Sequence, residues 1–303
     1  CLEKYIEKKN INIKDILLRL KNLRDFTVNI YYYHNLSNIN SKLPLIYYFD
    51  YDMEIIEINQ TMIYKNSQNS HDYALLVSAK VKYLSKIINK KFLIRRTSNF
   101  KEYYISNLIK ILRDKMSRYT VNKGFLLSDI PVSDVKLISN NFLVIELQDE
   151  AVFLSDLYSK KMNLKDYLCH TASSKTVEKM MNNFISSLSL MTVLGCSFNL
   201  KIKDPSSVMI NKKEQLFIAN HNQMNDDDYK NLLYITNSMV DILGPRKGYH
   251  FEKFAKKTIE LYDILKIQNN FINSYMRCLF ESSCLIYFEK KSVNDIKIIK
   301  QDN

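Results

Sequence analysis

The chain has 303 residues, of which 46% are hydrophobic and 25% charged, and its formal net charge is +12. These values are typical of a globular protein with one domain of two lobes or with two domains. No apolar run approaches the roughly 18 residues that a bilayer-spanning helix needs, which excludes a transmembrane segment. The positive charge favours anionic partners, including nucleic acid, whereas scattered lysines that only keep the chain soluble are the simpler explanation.

The cysteines and histidines are too dispersed to predict a metal site. There are five of each and no C-x-x-C spacing, so the sequence predicts neither a zinc site nor another cofactor, and reduced thiols fit a cytoplasmic protein. Abundant Lys, Asn, Ile and Tyr with no Trp suggest an A/T-rich genome, such as that of a large DNA virus. For a viral protein we expect the host cytoplasm or the virion.

Residues 1–42 predict an N-terminal helical extension. Apolar residues recur at helical spacing, and we expect the helix to pack on the rest of the chain or, alternatively, to bind a partner. The apolar positions are Ile11, Ile16, Leu17, Leu20 and Leu23. Tyr31, Tyr32 and Tyr33 follow in a polar connection, where no pattern of apolar spacing assigns them to a core. They are candidate interface residues, with packing on their own domain as the equal alternative.

Residues 43–147 read as strands with one helix between them. Asn99 and Glu102 stand in capping-box order and open a helix over 99–116. The predicted elements are a hairpin of 45–49 with 53–58, a helix-like pattern over 73–88, a strand over 91–96 and a hairpin of 132–138 with 141–147.

The stretch 176–223 carries the strongest local pattern. Apolar residues at spacings of three and four predict a buried helix over 176–194 that ends at Gly195. A polar run over 197–207 follows, and then come two short apolar strands, 208–210 and 215–219. The second strand ends at Asn220-His221-Asn222.

This order resembles the catalytic region of protein kinases. Ser197-Phe-Asn-Leu-Lys201 is similar to the H-R-D-L-K motif, so Asn199 would stand at the catalytic Asp. By the same resemblance Ser207 stands at the metal-binding Asn, and Asn220 stands at the metal-binding Asp of D-F-G. Each group that would do chemistry is replaced by a weaker one.

The flanking segments extend the resemblance over about residues 43–288. Phe92-Leu-Ile-Arg95 is similar to the V-A-I-K strand, with Arg95 in place of the phosphate-binding Lys. Glu102 could be the ion-pair partner of Arg95, although a plain helix cap is the preferred interpretation and Asp114 lies closer to the family spacing. Residues 143–147 resemble the hinge strand, and 164–168 resemble the short helix after it. The first glycine is Gly124, so no glycine-rich phosphate loop can form.

The C-terminal part of the resemblance is helical. An acidic cluster, Asp226-Asp227-Asp228, precedes a predicted helix over 228–243 that Gly244-Pro245 stops. Asp227 or Asp228 would anchor this helix to the catalytic loop. The activation segment is almost absent, which resembles the divergent kinases of poxviruses and other large DNA viruses. Two further helices are predicted over 251–267 and 271–288.

The resemblance implies an α+β, two-lobed fold with an antiparallel-sheet lobe over 43–147 and a helical lobe over 148–303. It implies a catalytically inactive scaffold that binds a protein partner and holds no cofactor or metal. One alternative is an aberrant kinase in which Asp204 or one of Asp226, Asp227 and Asp228 replaces a lost carboxylate. Others are a basic virion structural or nucleic-acid-associated protein, or an unrelated α+β protein that matches by chance.

Overall fold

The computed structural model describes residues 13–33, 40–65, 73–96, 101–120, 127–139, 141–171, 176–198, 200, 204–219 and 235–284. The fold is of the predicted α+β class. The strands are β1 (Leu45–Ile46), β2 (Met53–Lys65), β3 (Tyr73–Tyr83), β4 (Lys86–Arg96), β5 (Val135–Ser139), β6 (Phe142–Leu147), β7 (Val152–Phe153), β8 (Val208–Ile210) and β9 (Leu216–Ile218). The helices are α1 (Ile13–Tyr33), α2 (Lys101–Thr120), α3 (Leu154–Ser159), α4 (Leu164–Thr171), α5 (Val177–Phe198), α6 (Asn237–Leu243), α7 (Tyr249–Ile267) and α8 (Asn269–Cys284).

The chain divides into two compact units. The first contains residues 1–103 and 134–149, and the second contains 104–133 and 150–303. The N-terminal extension therefore shares a unit with the strands, and most of α2 groups with the later helices. In the described part of the chain no helix is both long and apolar enough to cross a bilayer.

The first unit is built on one antiparallel sheet with strand order β1-β2-β3-β4-β6-β5. Both predicted hairpins are confirmed, since β1 pairs with β2 and β5 pairs with β6. β6 lies beside β4, with Arg95 opposite Leu143. The strand that carries Arg95 and the second strand after α2 are thus direct neighbours.

The helix-like interpretation of residues 73–88 is wrong. Tyr73–Tyr83 is a strand, and a tight turn leads to β4, which begins at Lys86. Leu75, Val77, Ala79 and Val81 are all fully buried while the residues between them are more exposed, which is the period-two pattern of a strand. Pairing with β2 on one side and β4 on the other decides the conformation.

Helix α1 packs on one face of this sheet, as expected for the extension. Its buried residues, including Phe26 and Ile30, join Tyr47, Tyr48 and Phe92 in one core cluster. The Thr27 hydroxyl donates to the Leu23 carbonyl and lies 2.9 Å from the Tyr48 hydroxyl. Leu17, expected on the packed face, is instead 61% exposed.

The second unit is mainly helical around a small sheet of order β7-β8-β9. The predicted strand pair β8–β9 and helix α5 are confirmed, and Phe184 and Leu188 of α5 are fully buried. Gly195 does not end α5, which continues to Phe198. Gly195 is itself buried in the packed helix, and packing outweighs the cost of about 1 kcal/mol of a helical glycine.

The helix predicted over 228–243 is not continuous. Thr236 has extended backbone angles (φ −81°, ψ 160°) and is the N-cap of α6, so no helix passes through it. Gly244 ends α6 with φ +77°, as predicted. Helices α7 and α8 match the two predicted C-terminal helices as far as Cys284.

Candidate functional site

Arg95 and Glu102 form an ion pair within the first unit. Arg95 lies near the end of β4, between Ala74 of β3 and Leu143 of β6. Glu102 is in the first turn of α2, and its carboxylate contacts the Arg95 guanidinium. The two side chains are only 11% and 6% exposed.

The ion-pair alternative for Glu102 is therefore the one that the structure contains. Asn99, the predicted cap, lies outside the described residues, so the capping box stays a prediction. Asp114 is a partner of Arg113, with 2.6 Å between Nη2 and Oδ1, and it belongs to the second unit. The buried pair fixes the first turn of α2 to β4 and commits a guanidinium to a carboxylate.

Ser207 is buried in the second unit, immediately before β8. Its side chain is 1% exposed, its amide donates to the Asp204 carbonyl, and its carbonyl accepts from the Ala219 amide. Its hydroxyl has no hydrogen-bond partner in the described part of the chain. A neutral serine hydroxyl is a poor replacement for the carboxylate and amide oxygens that hold Mg²⁺.

The Asp204 carboxylate accepts hydrogen bonds within its own turn. Oδ1 of Asp204 accepts hydrogen bonds from the Ser206 amide at 2.9 Å and from the Ser206 hydroxyl at 2.7 Å. This arrangement orders the turn that leads into β8.

The remaining predicted site residues stay untested. Asn199, Asn220, Asp226, Asp227 and Asp228 lie outside the described residues. Among the residues that are described, no group of three or more His, Cys, Asp and Glu side chains is placed to hold a metal ion.

The three consecutive tyrosines are not equivalent. They form the last turn of α1 rather than a polar connection. Tyr31 is 2% exposed and packs edge-on against Phe142, with 5.1 Å between ring centroids, so it belongs to the core. Tyr32 and Tyr33 are 49% and 74% exposed, and only these two can contact a partner.

A polar network at the end of β6 was missed in the sequence. The Tyr47 hydroxyl donates to Glu146 Oε1 at 2.9 Å, and Lys90 Nζ lies 3.3 Å from the same oxygen. Burial and the nearby Glu146 carboxylate raise the pKa of Tyr47, so the phenol stays protonated. The one feature of the sequence that could have indicated this network is Glu146, an acidic residue within the apolar run of β6.

The second unit also contains a mainly apolar recess. Its lining includes Ile109, Val132, Met191 and Phe217. The Ser187 hydroxyl in the lining already accepts a hydrogen bond from the Leu216 amide and donates to the Phe184 carbonyl. None of the described residues that line the recess is charged, so these residues supply it with no acid, base or charged metal ligand.

Comparison with protein-family models gives no match, and comparison with curated protein sequences gives no significant match. The proposals for function therefore depend on the residues and the geometry described above.

Proposed function

We propose that this chain is a degenerate protein kinase-like module that transfers no phosphoryl group and acts by binding another protein. The observation that carries the proposal is the Arg95–Glu102 pair. In protein kinases a basic residue on a strand pairs with a Glu of the following helix. Here α2 is the next described element after β4, and the following hairpin returns β6 beside β4.

The order of the later elements supports the same proposal. After β6 and the two-residue strand β7 come two short helices, a long buried helix, a polar turn and a strand pair. The resemblance predicts this order from α4 onward, and it does not predict β7 or α3. Chance agreement of an unrelated α+β fold would have to reproduce both this order and the neighbouring positions of β4 and β6.

Three departures argue against catalysis. The guanidinium of Arg95 replaces an ammonium, from which it differs in shape and hydration. Ser207 replaces a metal-binding amide, and Asn199 would replace the acid that accepts the substrate proton. Loss of one such group costs on the order of 10² or more in rate.

We expect no magnesium-dependent turnover of radiolabelled ATP by the full chain. Turnover in the wild type that Asp204→Asn or Asp226→Asn abolishes would contradict the proposal and favour an aberrant active kinase. Asp114→Asn is the matched control, since Asp114 is a partly exposed acid already paired with Arg113.

A further inference from the structure

A basic segment, residues 246–257, contains the turn before α7 and the first half of this helix. Five of its residues are Lys or Arg, and only Glu252 is acidic. In the whole chain 44 basic residues stand against 32 acidic ones, so positive charge is concentrated in this segment. The basic residues are Arg246, Lys247, Lys253, Lys256 and Lys257.

A tight turn holds the first two cations at the start of α7. The Gly248 amide donates to the Pro245 carbonyl at 2.7 Å, so Arg246 and Lys247 take the two central positions of a β-turn. A Cβ atom at residue 248 would lie 2.9 Å from the same carbonyl oxygen, and a side chain there would force the turn to shift. Both basic side chains are exposed, and neither is hydrogen-bonded or ion-paired to any described residue.

Positive charge at this end of α7 is unfavourable for the helix itself. The first turn of a helix carries partial positive charge, so it is stabilised by anions and destabilised by cations. Within the described part of the chain no side chain caps α7, whose N-cap is Gly248. One turn further along, the charge of Lys253 helps to lower the pKa of Lys257, and Glu260 opposes this effect. A bound anion would relieve the repulsion at the start of α7.

An exposed aromatic ring lies among these cations. Tyr249 is the first residue of α7 and is 67% exposed. Lys253, one turn later, places its Nζ 5.4 Å from the centre of this ring. Proteins that bind single strands combine cations for the phosphates with aromatic rings on which the bases stack. An acidic protein or a lipid headgroup would use the charges alone and would give the ring no such partner.

We propose that the surface formed by Arg246, Lys247, Tyr249 and Lys253 binds single-stranded nucleic acid. The three cations would contact phosphates, and the Tyr249 ring would stack on an unpaired base. This binding goes beyond the proposed scaffold function and does not depend on it. The surface lies entirely within the second unit.

Fluorescence anisotropy of the full chain with a labelled oligothymidine of about 16 nucleotides tests the proposal. Binding should weaken as salt rises, because phosphate contacts release counterions. Changing Arg246 and Lys247 together to Gln should weaken binding about 25-fold at 0.1 M salt and should reduce the slope of log K against log salt by about 1.4.

Tyr249→Leu separates stacking from charge. This variant should weaken binding of the single strand at least about fivefold without changing the salt slope, since stacking involves no counterion. Binding to a duplex of the same length should stay unchanged, because its bases are already stacked on each other.

Lys179→Gln with Lys213→Gln is the matched control for the loss of two charges. Both lysines are exposed and lie near the first turns of α5, where the Lys213 carbonyl accepts a hydrogen bond from Asn183. The contacts between α5 and α7 run antiparallel, so this end of α5 is away from the start of α7. The control should bind the oligonucleotide like the wild type.

The melting temperature shows whether a loss of binding reflects unfolding. Removing Arg246 and Lys247 should leave it unchanged or raise it, because cations are unfavourable at a helix N-terminus. If this variant melts at a lower temperature, Lys253→Gln replaces it and should reduce the salt slope by about 0.7.

Three results would overturn the proposal. The first is no binding of the oligonucleotide at about 0.05 M salt. The second is binding that the charge variant or Tyr249→Leu leaves unchanged. The third is binding to vesicles of phosphatidylserine and phosphatidylcholine, or to polyglutamate, in preference to the oligonucleotide, which would identify a membrane surface or an acidic protein as the partner.

Discussion

At the level of single residues, the Arg95–Glu102 pair is a buried ionic contact that joins β4 to the start of α2. Both side chains are nearly buried, so each charge depends on the other for the interactions that water would otherwise provide. A buried pair of this kind stabilises little relative to apolar residues of equal volume. Removing one of the two charges is costly, because the remaining charge stays buried without its partner.

Glu102→Gln should therefore lower the free energy of unfolding of the first unit by about 3–5 kcal/mol. The double variant Arg95→Met with Glu102→Leu should lose much less, because no buried charge remains. Chemical denaturation followed by circular dichroism measures both values. Asp114→Asn, at a partly exposed pair, should change stability by about 1 kcal/mol or less. Equal losses in all three variants would contradict this account of the pair.

Lys257 of α7 should make stability depend on pH. Its ammonium donates to the Ser186 hydroxyl at 2.7 Å. Burial, and to a lesser extent the charge of Lys253, lower the pKa of Lys257 from the usual 10.5 to about 8, and Glu260 opposes the shift. The folded state therefore releases this proton before the unfolded state does, and the cost of burying the charge is fully present below pH 8.

Lys257→Met should stabilise the protein most at neutral pH. This advantage over the wild type should shrink as the pH rises from about 8 to 10.5, where the wild type loses the buried charge. Thermal denaturation at a series of pH values gives the difference. Lys256→Met, at the exposed neighbouring position, is the control and should show no such trend. A constant difference for Lys257→Met would exclude this residue as the cause.

At the level of elements, α1 has one face buried in the core and a C-terminal end whose last two side chains are exposed. Tyr31 and Ile30 are buried against the sheet, whereas Tyr32 and Tyr33 are exposed. Exposed tyrosines often anchor interfaces, because they bury a large area at low entropy cost. Tyr33 is the most exposed aromatic residue in the part of the chain that the structure describes, so the end of α1 is the candidate partner-binding surface.

Changing Tyr32 and Tyr33 together to Ser should weaken capture of the protein partner while the melting temperature stays near that of the wild type. Tyr31→Ser should instead lower the free energy of unfolding by about 3–5 kcal/mol, as truncation of a buried aromatic residue does. Pull-down from cell extract and thermal denaturation measure the two effects. Unchanged capture by the double variant would place the interface elsewhere.

Elements whose apolar residues follow one clear period, either helical or alternating, were predicted from the sequence. Elements whose conformation depends on pairing with other strands were not. Helix α5 and the hairpin β5–β6 follow from local spacing. Residues 73–88 contain apolar side chains at helical spacing and also at the alternating spacing of a strand. Only pairing with β2 and β4 decides that they form a strand. Tyr31 was misplaced because one turn of helix cannot be recognised beside a polar segment. The partner of Glu102 could not be predicted, because that prediction needs the position of the first turn of α2 relative to β4.

At the level of the whole molecule, each compact unit has its own hydrophobic core. One core contains Leu75 with the residues of α1 and the large sheet, and the other contains Leu188 with the later helices. The division falls inside α2, between residues 103 and 104. We therefore expect the two units to open as separate cooperative blocks.

Leu75→Ala and Leu188→Ala form a matched pair for this expectation, since both leucines are 0% exposed. Each variant should cost about 2–5 kcal/mol. Native-state hydrogen exchange should then accelerate only in the unit that carries the change. Acceleration of both units by either variant would indicate one cooperative fold.

The Asn40 amide also makes the sheet sensitive to chemical ageing. Hydrolysis of an asparagine side chain replaces its nitrogen by oxygen without changing its size. At this position the new oxygen would face the Ile58 carbonyl, where Nδ2 now donates at 3.3 Å. A donor–acceptor contact would become a contact between two acceptors beside a new negative charge. Old preparations of the protein would therefore carry a covalent defect beside Ile58 of β2, and Asn40→Asp reproduces it from the start.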